Sequence, residues 1–236
     1  MRLSGLLITG TDTGVGKTVV AAAVCAWLVE QGHSVHPLKP VESGTDENGG
    51  VPGDAQLLAR SVGLDSWRDA CVLALPEPLA PLVAARRAGL TVDQVVLDDA
   101  FVERRARGGT TVVEGVGGAL VEVSAGVTVA DLAARWALPA IVVAANRLGV
   151  LSHTLLTVEA LQSRGVEVRG VVLNTLSADP PTVAEQENAA ELSRLLPQGV
   201  PLLGTMPFVS QEGAESPSAL ASLVAQWGGM LFPDRP

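Results

Sequence analysis

The sequence predicts an α/β fold in which a mostly parallel central sheet carries helices on both faces. Three observations predict it. Short apolar runs alternate with longer amphipathic segments along the whole chain, as expected of strands buried on both faces and joined by helical crossovers. The length, 236 residues, suits one core of this kind, so residues 1–236 are read as a single domain. Apolar residues make up 47% of the chain, enough to fill such a core and too many for a disordered segment.

Taken in order, Leu3 to Thr9 reads as a buried strand and Lys17 to Gln31 as a helix, stopped by Gly32. Val35 to Lys39 is a second short strand. Asp54 to Val62 and Thr91 to Arg107 are helical, and Thr110 to Glu114 is a strand that ends on an acid. The remaining elements are a helix at Thr128 to Trp136, a strand at Ala140 to Ala145, a helix at Thr154 to Arg164 and a strand at Val168 to Leu173. A helix at Thr182 to Leu196, a strand at Leu202 to Thr205 and a helix at Ala219 to Trp227 complete the series. Residues 41–53 and 74–90, rich in Gly, Pro and small polar residues, read as loops. Open parallel sheets collect ligands outside the carboxyl ends of their strands. The segments after Thr9, Lys39, Val113, Leu173 and Thr205 are therefore where a site is expected.

Bulk chemistry narrows the function. A formal net charge of −9 repels phosphate backbones, so nucleic acid is not an expected partner. Cys25 and Cys71 have no His or Cys at metal-ligand spacing, which argues against a zinc site or a disulfide framework and for reduced, buried thiols. The N-terminus has no extended apolar stretch with a small-residue cleavage site, and no run is long enough to span a bilayer. A cytoplasmic protein is expected.

The strongest local signal is Gly10-Thr11-Asp12-Thr13-Gly14-Val15-Gly16-Lys17-Thr18, placed between a predicted strand and a predicted helix. Gly14 and Gly16 let the backbone curl so that its N–H groups face an anion, and the helix N-terminus adds a favourable dipole. Lys17 is placed to reach outer phosphates and Thr18 to ligate Mg²⁺. The spacing departs from the general pattern in one respect: the position five before Gly16 is Thr11, and the glycine lies one earlier, at Gly10. The fold class is accordingly a P-loop NTPase fold. Two further segments end predicted strands: Lys39-Pro40-Val41-Glu42-Ser43-Gly44 and Val113-Glu114-Gly115-Val116-Gly117-Gly118. Lys17 and Lys39 are cations at neighbouring strand ends, able to flank a transferring phosphoryl group. Asp54 and Glu114 are hard oxygen donors suited, with Thr18, to Mg²⁺. Each has a plainer alternative: a solvated surface lysine for Lys39, a helix N-cap for Asp54, a structural ion pair for Glu114, a turn serine for Ser43 and core packing for Phe208.

At these three motifs, in this order, the chain resembles the dethiobiotin synthetases. The resemblance covers most of the sequence and includes Gly53-Asp54-Ala55, Val129-Ala130-Asp131, Leu148-Gly149 with His153, Asn174 and Met206-Pro207. It implies a reaction in which 7,8-diaminononanoate, CO2 and MgATP give dethiobiotin, ADP and phosphate. One amine takes up CO2 as a carbamate, ATP phosphorylates the carbamate, and the second amine closes the cyclic urea. The resemblance implies Lys39 and Lys17 as catalytic residues. It implies nucleotide contacts from Thr13, Gly14, Val15, Gly16, Lys17, Thr18, Val19, Asp54, Glu114, Gly115, Gly117, Asn174, Thr175, Pro207, Phe208 and Val209. Metal ligation falls to Thr18, Asp54 and Glu114, and substrate contacts to Thr13, Ser43, Gly118, Gly149, Val150, Leu151 and Ser152. The last segment leads from a strand into a helix, with Ser152 or Thr154 as the expected cap. In the family it reaches across a two-fold interface, so a homodimer with shared active sites is expected.

Three positions depart from the family pattern: Val116 where Ala is usual, Ser152 where Asn often precedes the His, and residues 77–81, which lack a Ser-Pro-His form. They bear on the substrate pocket more than on the nucleotide site. Among related proteins, a partition-type ATPase usually carries an extra lysine near the start of its loop, and the positions here are Thr and Asp. A cobyrinate-amidating enzyme needs a glutamine-hydrolysing Cys, and no Cys follows Cys71.

Overall fold

The computed structural model describes residues 5–45, 50 and 52–231. Its frame is β1 (Gly5–Gly10), α1 (Lys17–Glu30), β2 (Val35–Ser43), α2 (Gly53–Ser61), β3 (Cys71–Leu75), α3 (Pro81–Arg87), α4 (Gln94–Ala106) and β4 (Thr110–Glu114). There follow β5 (Glu122–Ser124), β6 (Val127–Thr128), α5 (Val129–Arg135), β7 (Ala140–Ala145), α6 (Val150–Gln162) and β8 (Val168–Asn174). The chain continues through α7 (Val183–Leu195), β9 (Leu202–Met206), α8 (Gln211–Ala214) and α9 (Pro217–Val224). Seven strands form one sheet in the order β3-β2-β4-β1-β7-β8-β9, and every pairing in it is parallel. β5 and β6 form a separate antiparallel hairpin.

Alternation along each central strand feeds two cores. Leu6 and Ile8 of β1 join Val20, Val24, Ile141 and Leu220 on one face of the sheet. Leu7 joins Leu38, Phe101, Val113, Val142 and Leu161 on the other. α1 is apolar on nearly every side, with Ala21, Ala22, Ala23 and Cys25 fully buried, because α2 and α9 cover the face that the sheet does not. The central helix is thereby fixed, and so is the loop that opens it.

β1 lies between β4 and β7, and the chain winds outward from it to both edges of the sheet. The carboxyl end of β1 is thus a switch point, where such sheets leave a crevice for ligands. β4 and β7 occupy the spans that their sequences predict. The expected helix at 154–164 instead begins at Val150 with Gly149 as its cap (φ 95°), so neither Ser152 nor Thr154 is a cap. Glycine alone adopts that left-handed cap without strain, and it has no side chain to advertise the helix start. The expected loop at 41–53 is corrected at both ends: 41–43 extend β2 and Gly53 opens α2, while 46–49 and 51 lie outside the described residues. The expected loop at 74–90 contains the end of β3 and all of α3, which starts on Pro81, a position where the missing N–H costs nothing. Among the described residues no helix is long and apolar enough to cross a membrane.

Candidate active site

Residues 11–16 carry the chain from β1 to α1. Gly14 and Gly16 sit at φ 71° and 90°, in the left-handed region. Gly16 is required twice over, because a Cβ there would lie 1.9 Å from the Asn174 Nδ2. That nitrogen donates to the Val15 carbonyl at 3.0 Å, so the end of β8 braces the loop. No side chain caps α1 and no acid lies in its first turn, which leaves its N-terminal N–H groups suited to an anion. Lys17 is buried, and its Nζ donates to the Asp12 carbonyl at 2.8 Å, across the loop. Burial is the main reason its pKa lies below the ordinary lysine value.

Beside the loop, four polar side chains meet from four elements: Thr18 of α1, Lys39 of β2, Asp54 of α2 and Glu114 of β4. Lys39, at 2% exposure, is not a solvated lysine. Its Nζ donates to Asp54 Oδ2 and to Glu114 Oε1, both at 2.6 Å. Burial opposes its charge, but Glu114 and then Asp54 outweigh burial and hold its pKa above the ordinary value. Asp54 is not the cap of α2; that position is Pro52. Its carboxylate instead bridges Lys39 and the Thr18 hydroxyl, which lies 2.8 Å from Oδ1. Thr18 Oγ1 also lies 2.9 Å from Glu114 Oε1, yet one hydroxyl has one proton to give. Glu114 is fully buried, and burial pushes its carboxyl up to about 7 against the pull of Lys39. Its ion pair with Lys39 uses only Oε1. Oε2 is buried with no hydrogen-bond partner.

An orphaned carboxylate oxygen beside a second carboxylate and a threonine hydroxyl is a hard-oxygen donor set of the kind Mg²⁺ takes. Mg²⁺ is commonly bound by one or two carboxylates, with water and phosphate oxygens completing its shell. Thr18, Asp54 and Glu114 are the residues that could hold it.

These groups face a cleft of about 680 Å³. Thr13, Val19, Ser43 and Gly117 also line it, and Pro78 to Pro81 form a wall. Gly115, Gly117 and Gly118 wrap the loop after β4 closely onto its surroundings. A Cβ at Gly115 would meet Val129 at 2.8 Å, one at Gly117 would meet Val121 at 2.7 Å, and one at Gly118 would lie 3.4 Å from the Thr11 carbonyl.

Other expected residues lie outside this cleft. Thr175 donates its N–H to the Met206 carbonyl, tying the end of β8 to the end of β9. Pro207, Phe208 and Val209 follow β9. Phe208 is 44% exposed and so is not a core residue, whereas Val209 packs against the core. Gly149, Val150, Leu151 and Ser152 form the cap and start of α6 and are not among the residues that line the cleft. Buried amides fix that turn: Asn146 donates to the Glu185 carbonyl, and Asn188 donates to Asn146 Oδ1 and the Arg147 carbonyl.

Sequence reasoning passes over Glu42. Its two carboxylate oxygens accept the Asp54 and Ala55 backbone N–H groups, each at 2.9 Å. Burial and the Asp54 charge raise its pKa, and the two N–H groups oppose the rise. The signal was an acid inside an apolar strand, facing a helix whose start offers only Pro and Gly.

A braced phosphate loop at the switch point of a parallel sheet, with a buried lysine among carboxylates beside it, places the protein in the P-loop class of nucleotide-using proteins. Comparison with known proteins agrees. The family described as AAA domain matches residues 4–216. The ATP-dependent dethiobiotin synthetase of Rhodococcus erythropolis is 42% identical over 232 residues, 97% of each chain. That of Anaeromyxobacter dehalogenans is 41% identical over 225 residues, 94% of this chain and 99% of its own. Among solved structures, a ParA family ATPase from Chlorobium tepidum matches with a TM-score of 0.50 at 15% identity, covering 98% of this chain and 96% of its own. Apo McdA of Cyanthece matches with a TM-score of 0.57 at 13% identity, covering 98% of each chain. At such identities the likeness concerns the fold alone. The chain belongs to the ATP-dependent dethiobiotin synthetase family.

Proposed function

We propose that the protein closes 7,8-diaminononanoate and CO2 into dethiobiotin while ATP becomes ADP and phosphate. One amine of the substrate adds to CO2, releasing a proton and forming a carbamate. A carbamate oxygen attacks the γ-phosphorus and ADP leaves. The second amine then attacks the carbonyl carbon of the mixed anhydride, the C–O bond to phosphate breaks, and the amine proton leaves with the departing phosphate as the ring closes. The observation that carries this reading is Lys39, a charged lysine buried between two carboxylates beside the phosphate loop. β4 stands between its strand and β1, so Lys39 and Lys17 are not at neighbouring strand ends as expected, and Glu114 of β4 lies between them.

Each residue has a role set by its chemistry. The loop N–H groups from Thr13 to Val19 and the Lys17 ammonium hold the phosphates. Lys39 offsets the repulsion between carbamate and phosphoryl oxygens and holds them in line. Mg²⁺, held by Thr18, Asp54 and Glu114, would neutralise charge on the transferring phosphoryl group. Ser43, with the backbone of Gly118, orients the amine or carbamate. Gly115 and Gly117 let the backbone approach the nucleotide. Asn174, Thr175, Pro207, Phe208 and Val209 frame the base.

The far carboxylate of the substrate needs an anion site, and the first turn of α6, from Gly149 to Ser152, offers N–H groups for one. These residues are not among those lining this chain's own cleft, and in the proposed homodimer they complete the site of a partner subunit. Exposed Leu120, Leu148 and Leu156 supply apolar surface for that contact.

Isotope transfer tests the chemistry. With CO2 carrying ¹⁸O, the released phosphate should contain one labelled oxygen, because the carbamate oxygen bonded to phosphorus leaves with it. Unlabelled phosphate, with the CO2 label retained, would mean that water and not carbamate attacks ATP.

A further inference from the structure

The first turn of α2 lacks a cap of its own. Its cap position is Pro52, in an extended conformation (φ −62°, ψ 109°), and no side chain from that position reaches the helix. The free N–H groups of a helix start must nevertheless find acceptors where they are shielded from water. Here the acceptor comes from the neighbouring strand. Glu42, 5% exposed near the end of β2, receives Asp54 N–H on Oε1 and Ala55 N–H on Oε2, both at 2.9 Å. A charged acceptor on two adjacent N–H groups is a strong and orienting arrangement. Asp54 depends on that orientation. Its Oδ1 meets Thr18 on α1 and its Oδ2 meets Lys39 on β2, so a rotation of the α2 turn would break contacts with both elements.

We propose that Glu42 is the positioning residue of this site: by capping α2 from β2 with both carboxylate oxygens, it aims Asp54 at Thr18 and Lys39. The inference rests on the reading of Asp54 as a working group of the site. The strand that delivers Lys39 thus also sets the helix that delivers the carboxylate, and the two move as one unit. Asp54 itself repels the Glu42 carboxylate, and the paired backbone N–H groups, with the Lys39 charge, offset that repulsion. The device is local to the helix start and needs no contact between Glu42 and substrate.

Two measurements on the full-length protein decide it. In Glu42→Gln, a variant of nearly the same size, an amide nitrogen faces a backbone N–H, donor against donor. Amide hydrogen exchange of the unliganded variant, resolved by residue, should quicken at Asp54 and Ala55 and stay unchanged along α1. Unchanged exchange at both positions overturns the proposal. Turnover should fall about tenfold or more, as when an outer partner of a ligand is lost, with the KM for ATP within about twofold. In an Asp54→Ala background the same substitution should cause no further loss, because its effect passes through Asp54. An equal loss in both backgrounds would show that Glu42 acts by a contact of its own, and overturns the proposal. If Asp54→Ala alone leaves turnover intact, the reading of Asp54 fails, and the exchange data still report whether Glu42 holds the turn.

Discussion

In the proposed reaction, Lys39 is the residue on which the chemistry turns. An ammonium at 2% exposure keeps its charge only because two carboxylates lie within 2.6 Å. Held this way, it is a fixed cation at low local dielectric and pays no reorganisation when charge develops nearby. Lys39→Ala should therefore lower turnover about a hundredfold or more while ATP affinity changes by only a few fold. Lys17→Ala should damage nucleotide binding and turnover together, because Lys17 belongs to the phosphate loop itself. Titration calorimetry with ATP and steady-state kinetics separate the two effects. Near-normal turnover in Lys39→Ala would contradict the role given to that residue.

At the scale of elements, legibility followed burial. β4 and β7 were readable because they are fully buried runs with abrupt ends. β3 was not, because an edge strand of five residues, partly exposed at its centre, carries little pattern. α3 hid among Pro78 and Pro81, residues that signal loops until Pro81 is seen as the first residue of a helix. The site was legible where chemistry is unusual: a lysine or acid closing an apolar strand, as at Lys39 and Glu114. Glu42 was not, since its role depends on which helix folds back beside β2, and a strand sequence does not say so. α6 starts four residues before the expected Thr154, because Gly149 offers no cap side chain to mark it. Gly149 at φ 95° tolerates no side chain without strain, so Ser152→Glu is the better variant for repelling the substrate carboxylate. Ser152→Glu and Lys39→Ala should each be inactive alone. Mixed under subunit exchange, they should recover about a quarter of wild-type activity, because half the dimers are hybrids with one intact site of two. No recovery, with hybrids shown to form, would mean that each chain completes its own site.

For the whole molecule, one sheet brings the working parts together. β1 and α1 present the phosphate loop, β2 presents Lys39 and Glu42, β4 presents Glu114, and α2 lays Asp54 across them. The same fold occurs in a ParA family ATPase, so architecture alone does not separate synthesis from ATP hydrolysis. The separation lies in what the γ-phosphate is passed to. ADP release measured with each substrate omitted in turn tests this most directly. Release should require the diamine and bicarbonate together and fall to background when either is left out. Vigorous ADP release that ignores the diamine would contradict it and mark the protein as a switch ATPase.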